Sequence, residues 1–160
     1  AHETYIRQKV FSWTDRFTVM DETGQDRYYV EGELFSFGKK LHVCDMTGAE
    51  RAFIQQKVFS FLPRYFVFIG EQQVAEIVKE FTFFRQQYTV EGLGWEVTGD
   101  FWAHDYEIIQ NDRPIVTINK EWMTWGDCYE LDIAEDGDEI IALSVVLAID
   151  SVLDAASSNN

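Results

Sequence analysis

Apolar and polar positions alternate with a period of two in short runs along most of the chain, as at Tyr129, Leu131 and Ile133. Such alternation is the mark of half-buried β-strands. The runs are themselves repeated. KVFSW at residues 9–13 returns as KVFSF at 57–61, with ELFSF midway at 33–37. Aligned on that phrase, Phe11, Phe35 and Phe59 recur every 24 residues, followed at equal offsets by Phe17, Leu41 and Tyr65 and then by Val19, Val43 and Val67. MDETG (20–24) and CDMTG (44–48) fall at equivalent places, where Asp can fold back on the backbone and Gly can take positive φ. Each unit therefore reads as a hairpin. In the second half FTFFRQQYTV (81–90), DFWAHDYEI (100–108) and WMTWGDCYEL (122–131) each join an apolar phrase to a Tyr that opens an alternating strand. Six hairpins predict about twelve antiparallel strands, which must curl and close to protect their edges, so the fold class is mainly β, a closed barrel.

The period changes near the C-terminus. From Ile140 to Leu153 only Ser144, Asp150 and Ser151 interrupt the apolar residues, so a helix here would be buried on every side. The stretch is shorter than the roughly 20 apolar residues of a bilayer span. Its natural place is the centre of the barrel, with Asp136, Gly137, Asp138 and Glu139 capping its start and complementing its dipole. Its β-branched content also fits a thirteenth strand. Residues 1–154 read as a single domain and 155–160 as a short polar tail.

Composition narrows the function. With 160 residues, 46% hydrophobic and 16% aromatic, the chain can bury one sizeable core. A formal charge of -15 repels nucleic acid and opposes anionic surfaces, which sets nucleic-acid binding aside. Cys44 and Cys128 are too few and too distant for a disulfide framework or a zinc site. The start, AHETYIRQKV, has no apolar core of a signal peptide, so the expected location is cytoplasmic.

No catalytic constellation emerges. His104 and Asp105 are adjacent, and neighbours on a strand point to opposite faces, so they cannot act as base and orienter. His42 stands alone on its strand. Glu135, Asp136, Asp138 and Glu139 offer hard oxygen ligands for calcium, but without EF-hand spacing, and capping explains them better. No metal or cofactor is expected. Trp13, Phe37, Phe61, Phe83 and Trp125, in or beside the phrase turns, are read as plugs over the barrel end, with an apolar rim for a membrane or partner as the alternative. The charges follow the repeat: Lys9, Arg16, Lys40, Lys57, Arg64, Lys79 and Lys120 fall at the phrase end of the hairpins, where they are the candidate ligand-binding residues. Asp21, Glu22, Asp26, Asp45, Glu50, Glu71, Glu91, Asp112, Glu135 and Asp136 fall at the opposite end. Neighbouring acids leave the basic end mixed rather than positive, and edge charges of this kind also guard strands against aggregation.

FSFGKKLHVCDMTGAERAFIQQKVFSFLPRY (35–65), GDFWAHDYEI (99–108) and WMTWGDCYELDI (122–133), occurring in order, resemble the LURP-one-related family. These are the bacterial and archaeal relatives of plant LURP-one proteins, in the tubby C-terminal-like superfamily that also holds phospholipid scramblases. The resemblance runs from Tyr5 to Leu153 and implies a twelve-stranded barrel around a central C-terminal helix. It supplies no catalytic residues. The expected function is that of a non-catalytic tubby-like binding module or scaffold, taking a protein, a lipid headgroup or another small ligand; the alternative is a self-assembling structural subunit. Expected partners are a protein, a second copy, or a weak contact with anionic lipid.

Overall fold

The computed structural model describes residues 2–8, 16–33, 36–81, 86–123, 126–134 and 138–158. Twelve strands precede one helix: β1 (His2–Gln8), β2 (Arg16–Asp21), β3 (Asp26–Gly32), β4 (Lys40–Asp45), β5 (Glu50–Gln56), β6 (Arg64–Ile69), β7 (Gln72–Phe81), β8 (Gln86–Glu91), β9 (Trp95–Asp100), β10 (Asp105–Gln110), β11 (Arg113–Met123), β12 (Gly126–Ile133) and α1 (Glu139–Ser158). Each strand pairs antiparallel with its neighbours in sequence. β1 then closes the sheet against β12, with Thr4 opposite Leu131 and Tyr5 opposite Glu130. The barrel is an unbroken meander, and closure leaves no edge strand for another chain to pair with.

The repeat generates the interior. Phe17, Leu41 and Tyr65 are buried at the starts of β2, β4 and β6, and Val19, Val43 and Val67 are wholly buried two residues further on. Tyr88 and Tyr106 take the same place in β8 and β10, and partly buried Tyr129 takes it in β12, so all six even-numbered strands open alike. The short turns also match. Asp21 Oδ1 accepts from the Thr23 N–H, the Thr23 hydroxyl and the Gln25 N–H at 2.9, 2.5 and 3.0 Å. Asp45 does the same for Thr47 and Ala49 at 3.0, 2.5 and 3.1 Å. These bonds, led by the threonine hydroxyl, hold both carboxyls below their usual pKa.

α1 fills the lumen. Residues 140–149 are buried without a break, Ser144 included, so no face of this stretch meets water. Asp138 caps the helix, its carboxylate accepting from the Ile141 N–H at 3.0 Å. The polar interruptions are satisfied: Ser144 and Ser151 donate to the carbonyls of Ile140 and Leu147, and Asp150 accepts from the Tyr129 hydroxyl at 3.2 Å. The β-branched content also fits a thirteenth strand, but the segment is a helix: all-round burial in a closed sheet favours a helix, whose backbone bonds are internal. The helix also runs on through Ser158, so most of the segment read as a polar tail is its last turn, with Asp154, Ala155 and Ala156 exposed. Among the described residues no helix is long and apolar enough to cross a membrane.

Candidate functional site

The meander gives the barrel two unlike ends. Turns of two to four residues (22–25, 46–49, 70–71, 92–94, 111–112) close one, and the other, the loop end, carries the connections with the repeated phrase, of which 9–15, 33–39 and 57–63 are longer and 82–85, 101–104 and 124–125 are as short as the turns. α1 enters at the turn end, where Glu139 is nearly enclosed, its side chain 13% exposed. Its carboxylate accepts from the Thr4 hydroxyl at 2.8 Å, Arg27 Nη1 at 2.7 Å and the Tyr28 hydroxyl at 3.3 Å, and lies 3.3 Å from His2 Nε2. Burial and the Glu139 charge raise the pKa of Tyr28. Asp138 and Glu139 are thus committed to the cap and to this latch, while Glu135 and Asp136 lie outside the described residues. Among the described residues no group of three or more His, Cys, Asp or Glu side chains is placed to hold a metal ion. The acidic character expected of this end is tempered by Arg27 and by Arg51, which lies 3.8 Å from Asp45.

At the loop end the aromatic residues face outward. Phe37, Phe59 and Phe61 are 68%, 92% and 100% exposed, and Phe81 and Trp102 are 70% and 57% exposed. The plug reading of Phe37 and Phe61 is therefore corrected: the lumen is already filled by α1 and the inward tyrosines, which leaves the loop aromatics no space beneath the rim. Phe37 and Phe59 meet in a tilted contact across adjacent loops, with ring centroids 5.7 Å apart and planes at 54°, and Phe59 sits at φ 60. Trp13, Phe83 and Trp125 lie outside the described residues.

The basic residues divide into two sets. Arg16, Lys40 and Arg64 each begin an even-numbered strand at the loop end, Lys57 lies in the loop with Phe59, and Lys79 and Lys120 lie near the same ends of β7 and β11. Lys9 is outside the described residues. Arg64 Nη1 donates to Glu76 Oε1 at 2.7 Å, a bond that raises its pKa further, with Glu91 at 3.8 Å. Arg16 lies 3.7 Å from Glu31. The Lys79 ammonium sits over the Phe81 ring, 5.9 Å from its centroid. Lys40 and Lys57 carry no ion pair among the described residues. The rim therefore mixes apolar tips with these two lysines, the arrangement amphipathic docking surfaces use.

Two other places could bear chemistry. The His104 ring stacks on Tyr129 at 4.2 Å, and burial followed by the nearby Lys120 charge lowers its pKa. His104 lies in the turn before β10 rather than on a strand, with φ 53, and no hydrogen bond or ion pair joins it to Asp105, the first residue of β10, among the described residues. On the outer wall a groove of about 560 Å³ is lined by Thr98, Gly99, Asp105, Tyr106, Glu107, Thr117 and Asn119, with Glu107 opposite Thr98 and Thr117 in the strand register. His42, which looked isolated in the sequence, has Glu33 2.7 Å from Nε2 and Glu50 against Nδ1. Those partners lie nine residues before it and eight after it, brought alongside by the hairpins on either side of β4.

Comparison with known proteins agrees with this architecture. The uncharacterized protein YxjI of Bacillus subtilis (strain 168) is 36% identical over 151 residues, covering 94% of this chain and 93% of that one. The X-ray structure of an Arabidopsis thaliana protein shares the fold at 14% identity, with a TM-score of 0.68 over 94% of this chain and 91% of that chain. The family model for LURP-one-related proteins matches residues 2–150, which takes in all twelve strands and α1 as far as Asp150, and the chain belongs to that family.

Proposed function

We propose that this protein is a non-catalytic binding module of tubby-like type that docks by its loop end on an anionic membrane surface. The observation that carries the reading is the exposure of Phe37, Phe59 and Phe61 on two adjacent loops beside Lys40 and Lys57. Aromatic tips enter the headgroup region while cations contact phosphates, each contact weak and screened by salt. The -15 background opposes approach, so binding belongs to low salt and fades near physiological ionic strength. A non-catalytic role is supported by the packed lumen, which leaves no internal reaction chamber.

Flotation with phosphatidylcholine vesicles, with and without phosphatidylserine, tests the proposal. Recovery is expected only with the anionic vesicles, and it should disappear in the variant F37S/F59S/F61S and fall in K40E/K57E, both of which keep the fold because those side chains are not part of the core. Equal recovery from both vesicle types, or none from either, sinks the reading.

A second reading rests on a different surface. Phe53, Phe66 and Phe68 form an aromatic strip on the outer wall of β5 and β6, with centroid spacings of 6.1 and 6.5 Å, which favours self-association. Light scattering behind size exclusion decides it: a monomer at moderate salt removes the structural-subunit alternative.

A further inference from the structure

His42 joins three strands. From the outer wall of β4 its Nε2 faces Glu33 Oε2 at 2.7 Å, just past the end of β3, and its Nδ1 faces Glu50 Oε1, at the start of β5. The ring lies against Phe53 with centroids 4.8 Å apart. A neutral imidazole has one N–H, so it can donate to only one of these carboxylates and turns a lone pair toward the other. The imidazolium donates to both.

Glu33 is also the root of the loop that carries Phe37. Its N–H donates to the Lys40 carbonyl at 3.0 Å, and further along the Lys39 N–H donates to Gln56 Oε1 at 3.0 Å, tying the loop to the base of the neighbouring one. Phe37 then packs at a tilt against Phe59. A single protonation event thus reaches the loop from which two of the exposed aromatic tips are held.

We infer that protonated His42 clamps the root of the Phe37 loop and that its deprotonation releases it, making rim docking pH-dependent. This rests on the membrane-docking reading for its functional half only. The groups facing the imidazole bear it out: Glu31 opposite and Glu33 at the end of β3, Lys40 and Cys44 two positions either side on β4, and Glu50 and Arg51 on β5. Three carboxylates outnumber the two cations, and Arg51 is drawn toward Asp45. Burial alone would lower the His42 pKa; the bonds to Glu50 and then Glu33 outweigh it and hold it above the ordinary 6.5. Release therefore falls above the pH at which an ordinary imidazole gives up its proton.

Three measurements on the full chain test this. NMR titration should place the His42 midpoint above 6.5, and Glu33→Gln and Glu50→Gln should each lower it. Hydrogen exchange of the Glu33 and Lys39 amides, corrected for the intrinsic rate, should quicken severalfold as pH rises through that midpoint and stay level in His42→Gln. Flotation with phosphatidylserine-containing vesicles should fall over the same interval in the native chain and not in His42→Gln. A midpoint at or below 6.5, or amides indifferent to it, overturns the clamp whatever the vesicles do. Flotation that tracks pH equally in His42→Gln overturns the regulation. Protein that floats at no pH overturns the docking reading and the regulation with it, while the two NMR measurements still decide the clamp.

Discussion

Arg27 Nη1 lies 2.7 Å from Glu139 Oε1, joining β3 to the first residue of the helix. The same carboxylate takes the Thr4 hydroxyl of β1, so one side chain fastens the helix start to two strands of the barrel. It also sits where the helix dipole favours negative charge. Replacing Glu139 by Gln keeps the volume and removes the charge from a nearly enclosed site, leaving Arg27 without its close counter-ion. The expected loss is about 1–3 kcal/mol, read as a lower urea midpoint at unchanged m. A midpoint equal to that of the native chain would mean the latch contributes nothing.

The interior of α1 should be far less forgiving. Leu143 and Leu147 are enclosed by the barrel on all sides, and the closed sheet cannot collapse onto a void. Alanine at either position should cost about 2–5 kcal/mol, a large fraction of what a domain this size has to lose. A chain ending at Gly137 should not fold at all, because the inward faces of twelve strands would enclose an apolar void. Near-ultraviolet circular dichroism reports both; a native spectrum from the truncated chain would refute the helix as the core of the fold.

Much of this architecture was written locally. The spacing of Phe17, Leu41 and Tyr65, with Val19, Val43 and Val67 behind them, specifies a repeated inward face because strand side chains alternate whatever the neighbours do. The enclosure of α1 was equally legible, since a helix with no polar face has nowhere else to go. The direction of the loop aromatics was not. Alternation lapses in the loops, and Phe59 is turned outward by a left-handed backbone that no periodicity encodes. The cations at the loop end were placed by the repeat, but the pairing of Arg64 with Glu76 depends on the register of β6 with β7, which shifts by a bulge at Val67 and Phe68. Glu139 was read as a cap; its partners Thr4, Arg27 and Tyr28 are more than a hundred residues away and meet it only because the barrel closes.

Gly99 offers a test of the wall. It has φ +140, and a Cβ there would lie 2.5 Å from the Tyr106 Cα across the β9–β10 pair. Gly24, at φ +85, has nothing within 4 Å. Alanine at Gly24 should cost only the left-handed backbone, about 1 kcal/mol. Alanine at Gly99 must also push two strands apart over a fully buried tyrosine, and should cost about 3 kcal/mol or more. Thermal melts of the two variants decide it: the Gly99 variant should melt well below the Gly24 variant, and equal melting would show that β9 and β10 yield easily.

The two wall and rim histidines should pull stability in opposite directions with pH. The pKa of His42 is raised in the folded chain, so its contribution is complete below the unfolded value of about 6.5 and is lost as pH rises through the folded value. His104 behaves the other way: burial and then Lys120 lower its folded pKa, so the unfolded chain takes up the proton first. Its penalty sets in as pH falls below about 6.5 and levels off beneath the folded value. The substitutions His42→Gln and His104→Asn separate them, and asparagine tolerates the left-handed φ of 53 at position 104. Urea midpoints measured from about pH 5 to 8 should differ in slope rather than only in level. Relative to the native chain, His42→Gln should lose more stability toward acid and His104→Asn less. Parallel curves for the native chain and both variants would mean that neither imidazole is bound differently in the folded and unfolded states.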